Sequence, residues 1–184
     1  MLDLAKSKYN PIMERKMESH MTTIVSAGVL SVASWLPANA GEKITGRNSD
    51  YQLLSESTAT IPDKPGHILR QRTWIFKSTS SSARLGDAWN TYVSQGEVVG
   101  RDITYKGYGT SHFANGDVAY FALEGTSKVT PKEPGAFEAV DQGKFEWTGG
   151  TGKHDVKGPG TYTCNFTQSS GGCDWQGEAE FSGM

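Results

Sequence analysis

Cysteine and histidine are scarce in this chain, and each scarcity closes off a class of chemistry. There are two cysteines and four histidines in 184 residues. Two thiolates without a nearby third ligand do not complete a zinc tetrahedron. His67, His112 and His154 lie far apart, in no H-x-H or H-E-x-x-H spacing, so neither a metal site nor a metal cofactor is expected. A basic excess is also missing: 18 Lys+Arg stand against 20 Asp+Glu, a formal net charge of −2, and nothing there attracts a phosphate backbone. Nucleic acid is therefore not an expected partner. Nor is there an apolar run of membrane-spanning length. The one long uncharged stretch, Thr22–Ala40, has an apolar centre at Ile24–Leu36, too short to cross about 30 Å of hydrocarbon as a helix.

Nucleotide-binding motifs are absent as well, although GGTGKHDVKGPGTYT at Gly149–Thr163 invites the comparison. Setting Gly152-Lys153 on the invariant pair of a P-loop puts Trp147 at the first glycine and His154 at the metal-binding hydroxyl. No helical pattern follows that could present its N-terminus to a phosphate. The stretch reads instead as a glycine-built turn between two strands. Hydrolase chemistry fares no better. Ser111 and His112 are adjacent on an expected strand, so they point to opposite faces and cannot readily share a proton with Asp117. There is no G-x-S-x-G elbow either.

What is present divides at about residue 40. The segment 1–40 carries Lys6, Lys8, Arg15 and Lys16, then the uncharged stretch, then Ala38-Asn39-Ala40 in the small-x-small form of a cleavage site. It reads as a signal peptide or anchor segment. Residues 41–184 form a single expected domain, long enough to bury about two-thirds of its unfolded surface around one core. Both cysteines lie in this part. Cys164 and Cys173 are separated by NFTQSSGG, whose last five residues are turn-formers, which is the spacing of facing positions on a hairpin. An exported location lets such a disulfide persist. Localisation is thus expected to be periplasmic or secreted, with membrane association as a variant.

Alternation of apolar and polar residues, with frequent glycine, marks short antiparallel strands. The clearest hairpin runs through Asn115-Gly116, read as a type I′ turn, with Tyr105, Gly107, Gly109, Ser111 and Phe113 on one face. Further strands are expected at Asp50–Thr60, Ile68–Lys77, Lys144–Thr148, Gly160–Phe166 and Asp174–Phe181. Leu85, Ala88, Trp89 and Tyr92 fall at helical spacing, so a short helix or lid loop is expected near residues 83–94. Seven or eight strands suit a closed antiparallel barrel or a sandwich. His154-Asp155 is expected as a solvated loop pair, and His112 as a partly buried or rim histidine.

The text TGGTGK at Thr148–Lys153, followed by Val156 and KGPGTY at Lys157–Tyr162, resembles the recurring element of the allene-oxide-cyclase and dirigent barrels. GYGTSHFANGDVAYFALEGT at Gly107–Thr126 is similar to the earlier hairpin of that superfamily, and CDWQGEAEF at Cys173–Phe181 to its closing strand. The resemblance covers residues 95–181, and residues 50–77 more loosely. It implies an all-β, eight-stranded antiparallel barrel, allene-oxide-cyclase or calycin-like, with a largely apolar cavity. It transfers no catalytic residue.

Arg70 and Arg72 share a strand face with Trp74 and Phe76, which is odd for a plain core. It suggests a carboxylate anchor or a solvated, partner-binding face. Arg72, Trp74, Tyr105, Tyr120, Glu124 and Trp147 are the candidate lining of an apolar pocket with a few polar anchors. The expected function is an exported small barrel that binds a small apolar or aromatic ligand, with cyclase- or dirigent-like activity as its enzymatic form. The alternative is a non-catalytic subunit of a larger exported or membrane-associated assembly, and homo-oligomerisation is compatible with either.

Overall fold

The structure, a computed structural model, describes residues 41–132 and 135–182. The segment read as a signal peptide or anchor, residues 1–40, lies outside the described residues. Eight antiparallel strands follow one another around a closed barrel: β1 (Glu42–Thr60), β2 (His67–Ser80), β3 (Ala88–Val99), β4 (Asp102–Phe113), β5 (Val118–Pro131), β6 (Phe137–Gly150), β7 (Val156–Thr167) and β8 (Gly171–Phe181). Each strand pairs with the next, and β1 closes the ring on β8 from Glu42↔Ala179 to Asn48↔Cys173. Among the described residues no helix is long and apolar enough to cross a membrane.

The alternation that suggested strands also sorts their side chains. On β4, Ile103, Gly107, Ser111 and Phe113 are buried while Thr104, Lys106, Tyr108 and His112 are exposed. His112 therefore sits on the outer wall. Ser111 points inward and donates to Asn90 Oδ1 at 2.6 Å. The β4–β5 turn differs from the expected type I′ form. Gly116 is left-handed, with φ 87°, but Asn115 is not. Gly116 N–H donates to Phe113 O, and Phe113 N–H donates to Asp117 O, both at 3.0 Å. This is the other common glycine hairpin, in which the left-handed residue follows a type I turn.

The helix or lid expected near residues 83–94 is not there. Residues 81–87 make a turn, and β3 runs from Ala88 with inward Ala88, Asn90, Tyr92 and Ser94 alternating with outward Trp89, Val93 and Gln95. Leu85, Ala88, Trp89 and Tyr92 satisfy a helical period by coincidence. The strand period wins because β3 is paired along its length on both sides, from Ser78↔Ala88 to His67↔Val99 and from Ala88↔Phe113 to Val99↔Asp102. The turn before it is capped locally: Ser82 accepts from Gly86 N–H at 2.8 Å, and its hydroxyl accepts from Leu85 N–H at 3.3 Å.

Packing inside the ring differs along the barrel axis. Towards the end that carries turns 81–87, 114–117 and 151–155, the filling is apolar: Ile44, Leu85, Phe113, Ala119 and Val156 are buried there. The middle holds an aromatic layer in which Trp147 and Trp175 meet edge to face at 5.8 Å and Phe145 stands against Trp147 at 4.8 Å.

The glycine stretch Gly149–Thr163 shuts the apolar end. A 3₁₀ turn at Gly152–His154 swings the chain across it. His154, expected to be solvated, is 2% exposed. Its ring stacks on Phe113 with centroids 3.6 Å apart. Nε2 lies 3.1 Å from the Leu85 carbonyl and Nδ1 lies 3.1 Å from Asp117 Oδ2. A hydrogen bond from Asn115 and the His154 ring together hold the Asp117 carboxyl below its ordinary range. Polar residues flanked by glycine usually mean solvent, but here three separate turns converge on one imidazole.

Cys164 and Cys173 pair across β7 and β8 as a disulfide, both buried, and Tyr51 donates its hydroxyl to Cys173 Sγ at 2.9 Å. The bridge closes a short loop, nine residues apart in sequence. Chain-entropy arithmetic for such a loop gives about 2.5 kcal/mol. Reduction is expected to lower the unfolding free energy by that amount, and the denaturant midpoint with it, without loss of strand structure, as read by circular dichroism in denaturant titrations with and without reductant. An unchanged midpoint would mean that the bridge adds nothing.

Candidate functional site

The other end of the barrel, towards turns 61–66 and 100–101, is lined differently. Inward positions of β2 place Arg70, Arg72 and Trp74 in a row, all half-buried. Across from them stand Ser94 on β3, Tyr105 on β4, Ser127 on β5, Asp141 on β6 and Tyr162 on β7. Their strand parity is that of the buried core, so they face the interior. Polar groups here are arranged around one carboxylate.

Asp141 is that carboxylate. Tyr105 donates to its Oδ2 at 3.4 Å, and Tyr162 donates to the Tyr105 oxygen at 3.0 Å or to the Glu124 carbonyl at 3.1 Å. Burial raises the Asp141 carboxyl above the ordinary carboxylate range, while the hydroxyls of Ser127 and Tyr105 and the charges of Arg70 and Arg72 pull the other way. Desolvation prevails, and the group holds its proton to higher pH. Its Oδ1 is buried with no hydrogen-bond partner among the described residues, as is the Tyr92 hydroxyl. Such atoms are uncommon in folded chains because an unpaired buried acceptor costs roughly 1–3 kcal/mol.

The two arginines are not equivalent. Arg72 donates its Nε–H to Glu56 on β1, and its guanidinium lies over the Trp74 ring at 5.4 Å. Arg70 makes no salt bridge to the described residues. Burial and then the neighbouring charge of Arg72 lower it from its ordinary value, against the attraction of Glu56 and Asp141. It keeps its proton at any physiological pH. A half-buried cation without a salt bridge to the described residues, facing the mouth that holds Asp141, is the chemically distinctive group of this end.

Glycine makes this arrangement sterically feasible. A Cβ on Gly125 would lie 2.3 Å from the Tyr162 hydroxyl oxygen, and one on Gly143 would lie 2.4 Å from it and 2.1 Å from the Glu124 carbonyl oxygen. The wall is bare at these two positions so that the phenol can reach across the ring.

Of the six residues proposed from sequence as ligand-lining, Arg72, Trp74 and Tyr105 meet at this mouth. Trp147 faces inward but deeper, in the aromatic layer. Tyr120 and Glu124 occupy the opposite parity of β5 from buried Ala119 and Phe121, and both point outward, Tyr120 at 45% exposure. Glu124 contributes only its backbone carbonyl to the interior. Its side chain borders an open depression of about 810 Å³ with Gln95, Lys106, Lys144 and Thr161. Asp141 was not singled out from sequence. Its signal was available: counting back in twos from Trp147 through Phe145 and Gly143 lands on Asp141. Among the described residues, no cluster of His, Cys, Asp and Glu could hold a metal ion.

No family model matches the chain, and neither a characterised protein nor a solved structure is significantly similar to it.

Proposed function

We propose that the barrel binds a small molecule with an apolar or aromatic body and an anionic group, at the mouth lined by Arg70, Arg72, Trp74, Tyr105 and Asp141. The observation that carries this reading is Arg70: a half-buried guanidinium without a salt bridge to the described residues, on the same inner face of β2 as Arg72, whose own guanidinium lies over the Trp74 ring. A carboxylate would accept a forked pair of hydrogen bonds from it. The apolar body would lie towards Trp74, and a donor on the ligand would satisfy Asp141 Oδ1. Pockets of this kind combine an apolar lining with few, convergent polar groups. The eight-stranded antiparallel ring is what the allene-oxide-cyclase and dirigent resemblance implies of the fold, and binding guided by shape is part of this proposal. A cyclase- or isomerase-like reaction would use the same mouth, with Asp141 as its proton-holding group. Export, with residues 1–40 as the signal, fits the disulfide and belongs to the same proposal.

Native mass spectrometry of the chain purified from its source, followed by solvent extraction, should reveal a co-purifying small acid. Arg70→Ala should weaken its binding about 10- to 100-fold, the worth of one charge-assisted hydrogen-bonded contact. Binding of an anion should strengthen as pH falls through the raised range of Asp141, because protonation removes a competing negative charge. A ligand that binds Arg70→Ala and the parent chain equally would overturn the reading.

A further inference from the structure

The strand β1 is longer than the seam it closes. It pairs with β8 only from Glu42 to Asn48, while on its other side it pairs with β2 as far as Thr60. The departure from β8 has a local cause. Asp50 is the one non-glycine residue among the described residues with a left-handed backbone, φ 56°; it lies in a bulge between Ser49 and Gln52, and a second follows between Leu53 and Ser55. Beyond them the ladder is regular again, from Ser55↔Thr73 to Thr60↔Ile68, with every residue from Gln52 to Thr60 exposed. Along Ser55–Thr60 the backbone groups on the side away from β2 have no ladder partner among the described residues.

An exposed regular edge is a template for another strand, and folded chains ordinarily blunt it with lysine, proline or an inward charge. The bulges blunt this edge only as far as Ser55. From there the sequence is SESTAT, without lysine, arginine or proline. Its one charge, Glu56, is held by Arg72 on the inner face. Beside the edge, Leu53, Leu54 and Leu69 are 44%, 58% and 46% exposed, and Leu69 pairs with Ala59.

We propose that this edge is a self-association site, in which β1 of one copy pairs antiparallel with β1 of a second copy. A two-fold axis at Ser57 sets Ser57 against itself, Glu56 against Thr58 of the second copy, and Ser55 against its Ala59. No like charges meet, and small side chains leave room for the backbones to approach. The two edges would satisfy each other's backbone groups, and the two sheets would run on as one. A closed two-fold pair leaves no further edge, so assembly stops at a dimer.

Light scattering on the full-length chain during size-exclusion chromatography should show a dimer that dissociates on dilution. Ser57→Lys, which sets two like charges opposite each other, should raise the dissociation constant at least about tenfold, with the strand spectrum unchanged. Ser57→Cys should give a disulfide-linked dimer under mild oxidation, whereas Gln176→Cys on the outer face of β8 should not. A chain that stays monomeric up to its solubility limit, or a dimer indifferent to Ser57→Lys, would overturn the proposal.

Discussion

Raising the pH above about 10 is expected to unfold the barrel within one to two pH units, and four interior phenols are the cause. Burial, the first cause in each case, raises Tyr51, Tyr92 and Tyr105 well above the ordinary phenol value of 10.0, and pushes Tyr162 up to about 12. In the unfolded chain the same phenols ionise near their ordinary value. Above pH 10 the unfolded state therefore releases protons that the folded state retains, and stability falls with rising pH. For Tyr162 the loss accumulates between about 10 and 12, and for the other three it continues beyond. Each such proton changes stability by about 1.4 kcal/mol per pH unit, so the four together cost up to about 5 kcal/mol per unit. A domain of this size has about 5–15 kcal/mol in total. Phenolate absorbance from the buried four should rise only together with loss of strand signal. A single smooth titration near 10 with the fold intact would mean that the phenols are not enclosed.

The second large effect is expected at the opposite end of the barrel. His154→Ala removes a ring stacked on Phe113, leaves the Leu85 carbonyl without its partner and Asp117 with Asn115 alone, and opens a cavity beneath three turns. The cavity and the orphaned Leu85 carbonyl together are worth about 3 kcal/mol, or roughly 10 °C in Tm for a chain of this length. His154→Phe separates the contributions, since it keeps a ring to stack while deleting both polar contacts. It should recover part of the loss. If His154→Ala melts within a degree or two of the parent chain, the imidazole is not the keystone of that end.

These two ends show what could be read from sequence and what could not. Strands, hairpins and the Cys164–Cys173 pair follow from local features: period-two alternation, turn glycines and the spacing of two thiols. Each is decided within a dozen residues, whereas closure into a barrel rather than a sandwich rests on pairing of β1 with β8 at opposite ends of the domain and is expected only from the resemblance. His154 is decided by Leu85, Phe113 and Asp117, which lie between 37 and 69 residues away, and no local pattern distinguishes it from a solvated loop histidine. The stretch around β3 misleads because Leu85, Ala88, Trp89 and Tyr92 fall at helical spacing, although Ala88 and Trp89 take opposite faces of the strand, and only pairing with two neighbours resolves them. Tyr120 and Glu124 were legible in a different way: strand parity counted from Phe121 turns both outward, and the same count from Trp147 brings Asp141 inside.

The mouth of the barrel is the centre of the functional reading, and one titration addresses it most directly. 2-Naphthoate and the neutral 2-naphthalenemethanol share an aromatic body and differ in the carboxylate. Added to the chain while tryptophan emission is followed, the acid should bind and quench, through Trp74 beside Arg72, while the alcohol binds at least about tenfold more weakly for want of the charge-assisted contact. In Arg70→Ala the difference between the two should vanish. Equal binding of acid and alcohol by the parent chain, or a preference for the acid that survives Arg70→Ala, would contradict the account.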